Sequence, residues 1–262
     1  MKMKQKRKNK SIWTLTLGIS LVLMAFIACS SDDGDTTETE TGGEVSGELH
    51  AAFAEFDTNE TDIYLEGSNV VIETTGNPNH TTPYWGVGNA LYVAPTIATN
   101  MTPSLIPGYD GAATLTVSSD PQLASSSTAT SLGAIGISVS GAAIFNDQEG
   151  NGALDQAVVS LDYSGGHIGP AEYHYHLEPK AWSDDDDKLI GILSDGFFIY
   201  GRKCNSTGTY PTDLDASGGH ASITQHTDET EYHYHIINEI YSTTGRYIVF
   251  VGPYKGTPNA IN

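Results

Sequence analysis

Cysteine is nearly absent from this 262-residue chain, which has two, Cys29 and Cys204. Neither stands in a CxxC pair. Zinc sites of the CxxC kind, iron–sulfur clusters and haem attachment through CxxCH are therefore excluded. Basic residues are also scarce: 12 Lys and Arg face 32 Asp and Glu, for a formal net charge of −20. Half of the basic residues (Lys2, Lys4, Lys6, Arg7, Lys8, Lys10) lie within the first ten positions. The remainder lacks the clustered cations that phosphate neutralisation needs, which argues against a nucleic-acid partner and equally against an acidic lipid surface. Strong acidity favours solubility and attracts cations, without naming a ligand. Segments with helical apolar spacing are missing. So are a Gly-x-Ser-x-Gly elbow, a His-Glu-x-x-His helix, a P-loop and a complete GxGxxG.

The N-terminal basic cluster precedes an apolar run, Ile12 to Ala28, that ends at Cys29. A basic start, a short apolar core and small residues before a cleavage point describe a secretory signal. The run is short for a bilayer span. Phe26-Ile27-Ala28-Cys29 resembles a bacterial lipobox, whose Cys becomes lipidated and is the new N-terminus. The expected organisation is a signal peptide over 1–28, a lipidated Cys29 with an acidic tether over 29–49, and one domain over 50–262. Ser30-Ser31-Asp32-Asp33-Gly34 resembles the export signal of surface lipoproteins in some diderm bacteria. That places the protein in the cell envelope, held at the outer membrane by its lipid and open to surface display. If Cys29 carries lipid, Cys204 has no partner for an intrachain disulfide, and the sequence assigns it no role.

The rest is strand-like. Asp62–Glu73, Leu91–Ala94, Ala113–Val117, Ile135–Val139, Ala157–Leu161, Leu189–Leu193 and Tyr247–Val251 are short runs rich in Val, Ile, Leu and Tyr. Gly, Pro, Asn, Asp and Ser clusters separate them. This pattern predicts an all-β domain, a single sandwich or barrel-like fold of short strands.

An internal repeat stands out. Gly165-Gly166-His167 is followed by Tyr173-His174-Tyr175-His176, and Gly218-Gly219-His220 by Tyr232-His233-Tyr234-His235. Each copy follows an Asp-containing stretch, Leu161-Asp162 or Asp213-Leu214-Asp215. The duplication implies two halves contributing to one place, or two similar sites. On a strand, residues i and i+2 share a face, about 6.6 Å apart. His174 and His176 therefore point one way and their tyrosines the other, as do His233 and His235. Paired imidazoles can converge on one ion, since metal–nitrogen bonds are about 2.0–2.1 Å. His167 and His220 are read as turn residues folding a third ring toward each pair. Imidazole suits Zn, Cu, Fe and Ni, and with no thiolate or thioether near the pairs Cu(II) or Zn(II) is favoured over Cu(I).

Other features carry weaker signals. His233-x-His235-x3-Glu239 resembles the first metal motif of cupins, but the downstream cupin element is missing. Asp147-x-Glu149-x-Asn151-Gly152 looks like the start of a calcium loop, yet Val158 stands where the closing Glu belongs. Asp184 to Asp187 reads as a solvated loop. Asp195 suits a turn cap, or a carboxylate that orients an imidazole or acts as a base. His80, Tyr200 and Glu239 are further candidates to stand beside the ligands.

Taken together, the paired Tyr-His-Tyr-His motifs resemble those of the bacterial YHYH-domain proteins, which are extracytoplasmic. Thr75-Gly76-Asn77-Pro78-Asn79-His80 resembles that family's NG-x-PNH element. Leu132 to Ile137 with Ile144-Phe145 resembles its GxIGIAxNGVPIF stretch. Ile190-Gly191 with Asp195 to Gly201 resembles its IG…DGFPIYG signature, and Gly252 to Gly256 its terminal segment. The resemblance runs from about residue 70 to the end. The family often has a Cys before the Gly-His of each copy, whereas here Tyr163-Ser164-Gly165-Gly166 and Ala216-Ser217-Gly218-Gly219 occupy those places. Phe198 replaces a Pro, and Ser140 with Ala142-Ala143 replaces Asn and Val-Pro. The resemblance strengthens the histidines as a site but implies no established activity.

The leading reading is a lipid-anchored protein that binds a transition metal through paired His-x-His strands, for capture or sensing. The alternatives are a metal-dependent oxidoreductase or hydrolase with Asp195 near the metal, and a structural or adhesive module with a His/Tyr core.

Overall fold

The computed structural model describes residues 47–95, 104–150, 152–169 and 171–262. Cys29, the apolar run and nearly all of the acidic tether lie outside the described residues. Within them, three strands form one antiparallel sheet: β1 (Thr61–Glu66), β2 (Asn69–Thr74) and β3 (Ala113–Ser118). The segment read as one strand, Asp62–Glu73, is thus a hairpin that turns at Gly67, where φ is +61°. Alternation puts Val70, Ile72, Leu115 and Val117 inward. They pack on Ile137, Ile192, Phe198 and Tyr200 of the second sheet.

That second sheet has eight strands: β4 (Ala134–Ser138), β5 (Ala143–Phe145), β8 (Gly166–Ile168), β9 (Tyr173–Tyr175), β10 (Leu189–Leu193), β11 (Phe198–Tyr200), β12 (Gly219–Thr224) and β13 (Thr227–His235). A small hairpin, β6 (Gln148–Glu149) with β7 (Gly152–Ala153), lies between β5 and β8 in the chain. The expected all-β, sandwich-like class is what the molecule has. Its longest helix among the described residues is the five-residue 3-10 turn Ala51–Glu55.

The eight strands run in the order β12-β13-β11-β10-β4-β5-β9-β8, which reads the same from either edge when the halves of the repeat are exchanged. Pairing follows the same symmetry. β4–β5 and β10–β11 are antiparallel, β5–β9 and β11–β13 parallel, β8–β9 and β12–β13 antiparallel. At the centre Ile137 faces Ile192, Ser138 faces Gly191 and Gly136 faces Leu193. Glycine is required on both sides of this axis. A Cβ on Gly136 would stand 2.5 Å from the Ile192 carbonyl oxygen, and one on Gly191 would stand 2.2 Å from that of Ile137. The duplication is therefore longer than its histidines. Ile135-Gly136-Ile137, Gly141 and Ile144 correspond to Ile190-Gly191-Ile192, Gly196 and Ile199.

Three expected strands are not strands. Ala157–Leu161 contains a 3-10 turn, Val158–Ser160, because the chain doubles back there to bury Leu154 and Leu161 beside Leu177. Leu91–Ala94 makes only an isolated bridge, Tyr92 to Thr82, and Val93 is exposed with no sheet beside it. Tyr247–Val251 touches the residues after β9 through one bridge, Leu177 to Ile248, and owes its apolar character to burial of Ile248, Val249 and Phe250. Asp184 to Asp187 is a held turn rather than a solvated loop. Asp186 accepts from the Ser183 hydroxyl, and Asp185 faces Arg202 at 3.3 Å.

Candidate metal centres

Each half builds its histidine strand pair with the same local device. Asp162 Oδ1 accepts from the backbone of Ser164 and Gly166, and Asp215 Oδ1 does so from Ser217 and Gly219. Asp is favoured in such turns because its carboxylate satisfies amides one turn ahead. The first glycine of each pair takes the left-handed region, with φ +83° at Gly165 and +79° at Gly218. The second makes room for a tyrosine crossing from the neighbouring strand. A Cβ on Gly166 would lie 2.5 Å from the Tyr173 hydroxyl, and one on Gly219 would lie 2.2 Å from that of Tyr232. Those hydroxyls donate back to Asp162 and Asp215. The Asp, the two glycines and the first tyrosine of each copy are thus one interlocked corner.

The strand that leaves this corner carries the third histidine. His167 and His220 are strand residues, not turn residues as expected. His167 is paired directly with His174 and His220 with His233. Opposed residues of an antiparallel pair share a face, so each strand pair presents three imidazoles together. The tyrosines point the other way, Tyr175 to Ser140 and His80, Tyr234 to Asp195.

The six histidines therefore form two sets, at opposite edges of the eight-stranded sheet. In the first, the Nε2 atoms of His167 and His174 are 3.1 Å apart and those of His174 and His176 are 3.0 Å apart. Glu149, from the β6–β7 hairpin, places Oε1 3.0 Å from His167 and 2.9 Å from His176. That oxygen is buried without a hydrogen-bond partner. In the second set His233 and His235 bring Nε2 atoms to 3.1 Å, and Cys204 Sγ lies 3.5 Å from His220 Nε2. Within each set the four ligand atoms lie within 4.8 Å of one another. Four ligands placed tetrahedrally about 2.0–2.1 Å from an ion stand roughly 3.3 Å apart, close to the separations in the first set.

The hydrogen-bond network assigns the protons. His174 and His176 donate from Nδ1 to the carbonyls of Glu172 and Asn146. His233 and His235 donate likewise to the carbonyls of Glu231 and Gly201. A carbonyl only accepts, so each of these Nδ1 atoms carries hydrogen. Ser160 gives its own proton to the Ala157 carbonyl, so its oxygen receives that of His167 Nδ1 at 2.7 Å. His220 Nδ1 donates to Asp213 Oδ1 at 2.9 Å. In the neutral imidazole the other nitrogen is then a bare lone pair. Each centre thus points three Nε2 lone pairs and an anion at one position. Without a cation or shared protons there, that arrangement is repulsive.

The titration behaviour agrees. Burial, reinforced by His176 and His167, pushes His174 well below the ordinary imidazole value. Burial followed by the nearby His235 brings His233 down to about 4. Burial pushes the Glu149 carboxyl up, whereas a proton shared with His167 or His176 outweighs burial and holds the group well below the carboxylate range, so a positive charge between them, proton or metal, is what this carboxylate favours. Burial likewise raises the Cys204 thiol, and contacts from His235, Ser206 and Ser222 overcome that to bring it down to about 5. Near neutral pH these shifts favour the ligand forms at His174, His233, Glu149 and Cys204.

The sequence reading missed both fourth ligands. Glu149 stands in a segment that resembles the start of a calcium loop but lacks its closing Glu, and the expectation of no thiolate near the pairs fails at Cys204. The signal was present but indirect. Phe145 and Tyr200 are equivalent in the duplication, and Glu149 and Cys204 each lie four residues further on. The other candidates separate by face. Tyr200 is beside the second set, its ring 5.2 Å from that of His233. Phe145 stacks on His174 in the equivalent place at 3.7 Å. His80 is on the tyrosine face, with Nε2 2.6 Å from the Tyr175 hydroxyl. Asp195 is not near either ligand set. Its carboxylate accepts from the Tyr234 hydroxyl and from the amides of Gly256 and Phe197, the turn-anchoring role. Glu239 is exposed beyond β13, because the chain leaves the strand at Ile236, so the cupin-like arrangement does not form.

Residues 114–212 match the family model described as YHYH protein. The expected resemblance is therefore shown over that segment, which holds the first Tyr-His-Tyr-His, Glu149 and Cys204, and stops before the second copy. No curated protein and no solved structure matches the chain.

Proposed function

We propose that this protein is a lipid-anchored, envelope-facing metal-binding protein that holds transition-metal ions at two separate centres, for capture or sensing. The observation that carries the reading is the proton assignment. Backbone carbonyls, a serine and an aspartate take all six Nδ1 hydrogens, leaving sets of bare Nε2 atoms facing one another at 3.0–3.1 Å. A packed histidine core would instead give each Nε2 a donor; here His220 Nε2 has the Ser222 hydroxyl at 3.3 Å, while the pairs at 3.0–3.1 Å face one another. Imidazole with carboxylate or thiolate suits Zn and Cu among the available ions. A catalytic centre needs an open coordination position, whereas each position here already has four ligand atoms around it. The membrane enters through the lipid on Cys29, and the acidic remainder gives no basis for nucleic acid.

The test is elemental analysis of the protein purified without a polyhistidine tag, before and after loading with Zn(II) and Cu(II). Two tightly held ions per chain are expected. A chain that takes up neither ion would return the histidines to a structural role.

A further inference from the structure

Resting on that reading, we propose that the two centres are specialised for different ions: the Cys204 centre for Cu(I) and the Glu149 centre for Zn(II). The two are related by the duplication, and their three histidines match position by position. What differs is the fourth ligand, which the same place in each repeat supplies as a carboxylate oxygen in one and a sulfur in the other. Carboxylate is a hard donor that suits divalent ions, whereas thiolate is soft and selects Cu(I) as well as Zn(II). Three imidazoles with a carboxylate hold Cu(I) weakly, while three imidazoles with a thiolate hold it well.

The surroundings of the sulfur support this division. Cys204 is fully buried and has no disulfide partner among the described residues. Its Sγ lies 3.1 Å from the Ser206 hydroxyl and 3.3 Å from that of Ser222. The Ser206 hydroxyl can donate to a sulfur anion, while the Ser222 hydroxyl also lies 3.2 Å from the Ile223 carbonyl and 3.3 Å from His220 Nε2. The Sγ to His220 separation, 3.5 Å, is wider than the 2.9–3.0 Å from Glu149 Oε1 to its histidines. This matches metal–sulfur bonds of about 2.3 Å against about 2.0–2.2 Å to oxygen. The imidazole of the second centre is also backed by a carboxylate, Asp213 on His220, where the first has the neutral Ser160 on His167. A carboxylate behind a ligating imidazole raises its donor strength. The sulfur favours Cu(I) at the second centre, and the carboxylate behind His220 strengthens that centre for whichever ion it holds.

The experiment loads the full chain anaerobically with Zn(II) and with Cu(I) supplied in a competing chelator, together and separately, and counts each metal after desalting. The expected result is one copper and one zinc per chain from the mixture. Cys204→Ser should sharply lower Cu(I) affinity while zinc is still bound. Glu149→Gln should leave copper in place and weaken zinc. Glu149→Cys should convert the first centre, so that two coppers are retained. Cobalt(II) gives an independent reading, with thiolate-to-cobalt charge transfer from one of two equivalents, lost in Cys204→Ser and doubled in Glu149→Cys. Copper spread evenly over both centres, or unchanged Cu(I) affinity in a folded Cys204→Ser protein, would overturn the specialisation while leaving metal binding intact. No metal of any kind at either centre would overturn both.

Discussion

The two edges of the eight-stranded sheet are the same structure made twice, and their differences are informative because so much else is held constant. Both use an Asp-anchored corner, a Gly-Gly step, a histidine opposite a histidine, and tyrosines on the reverse face. They differ in how deeply the corner is buried and in what faces the imidazoles. Asp162 is buried and also accepts from Thr82 and Tyr173 at 2.5 and 2.7 Å. Asp215 is more open, with Tyr232 at 3.1 Å and Lys255 at 3.4 Å. The frame tolerates divergence in the fourth ligand because that residue comes from outside the strand pair. Glu149 arrives on a hairpin, and Cys204 on the turn that follows β11.

The largest effect should come from emptying one edge. His174→Ala with His176→Ala removes two of four ligands and should reduce retained metal from two ions to one, with the remaining ion at the Cys204 centre. Loss of both ions, measured by elemental analysis, would mean that the edges do not fold or fill independently. Next come the corners. Asp162→Ala should destabilise the domain by about 2–3 kcal/mol, since it strands several buried donors. Asp215→Ala should cost less, about 1–2 kcal/mol. Urea unfolding of the metal-free variants measures both, and equal losses would show that the depth of burial is not what separates the corners.

A third comparison uses pH. His233 titrates near 6.5 when unfolded and about 4 when folded. Between those values the unfolded chain holds a proton that the folded one does not. Stability of the metal-free protein should therefore fall as pH drops through this window, by on the order of 1 kcal/mol per unit. His174 is held well below its ordinary value too, so its contribution continues to lower pH. His233→Gln should flatten the upper part of the profile and His174→Gln should flatten it further down. Identical profiles would remove the distinction. The smallest effect is expected behind the ligands. Asp213→Asn should weaken metal at the second centre by about 10-fold, and Ser160→Ala should weaken the first by less, each without moving the other. Competition titration with a chromophoric chelator separates them.

The sequence pattern was most legible where periodicity and chemistry coincide. Alternation in Tyr173 to His176 and Tyr232 to His235 placed the histidines on one face, and the all-β class followed from short turn-bounded runs. It was less legible where a segment is apolar for reasons other than strand pairing. Tyr247–Val251 looks like a strand because Ile248, Val249 and Phe250 are buried, not because a neighbour pairs along its length. Ala157–Leu161 hides a 3-10 turn whose Ser160 fixes the proton on His167. Glu239 follows His235 by four positions, but the end of β13 leaves it exposed, and Asp195, the carboxylate of the Asp195–Gly201 segment, is taken by Tyr234 on the face opposite the histidines.

By itself, the sequence determined the strand-rich class, the six imidazoles and their grouping in threes. The pairs follow from the two-residue repeat of a strand, which converts spacing directly into direction, and the third ring of each set joins from the antiparallel neighbour, where His167 faces His174 and His220 faces His233. Only the tertiary structure decided that there are two centres rather than one, and that one carries a carboxylate and the other a thiolate. Sheet order put the halves at opposite edges, and strand crossovers brought Glu149 and Cys204 to positions 18 and 16 residues before the nearest histidine of their own sets. Nothing local to either residue announces such a meeting, because it depends on where the β5 and β11 connections emerge beside strands that the chain has yet to form.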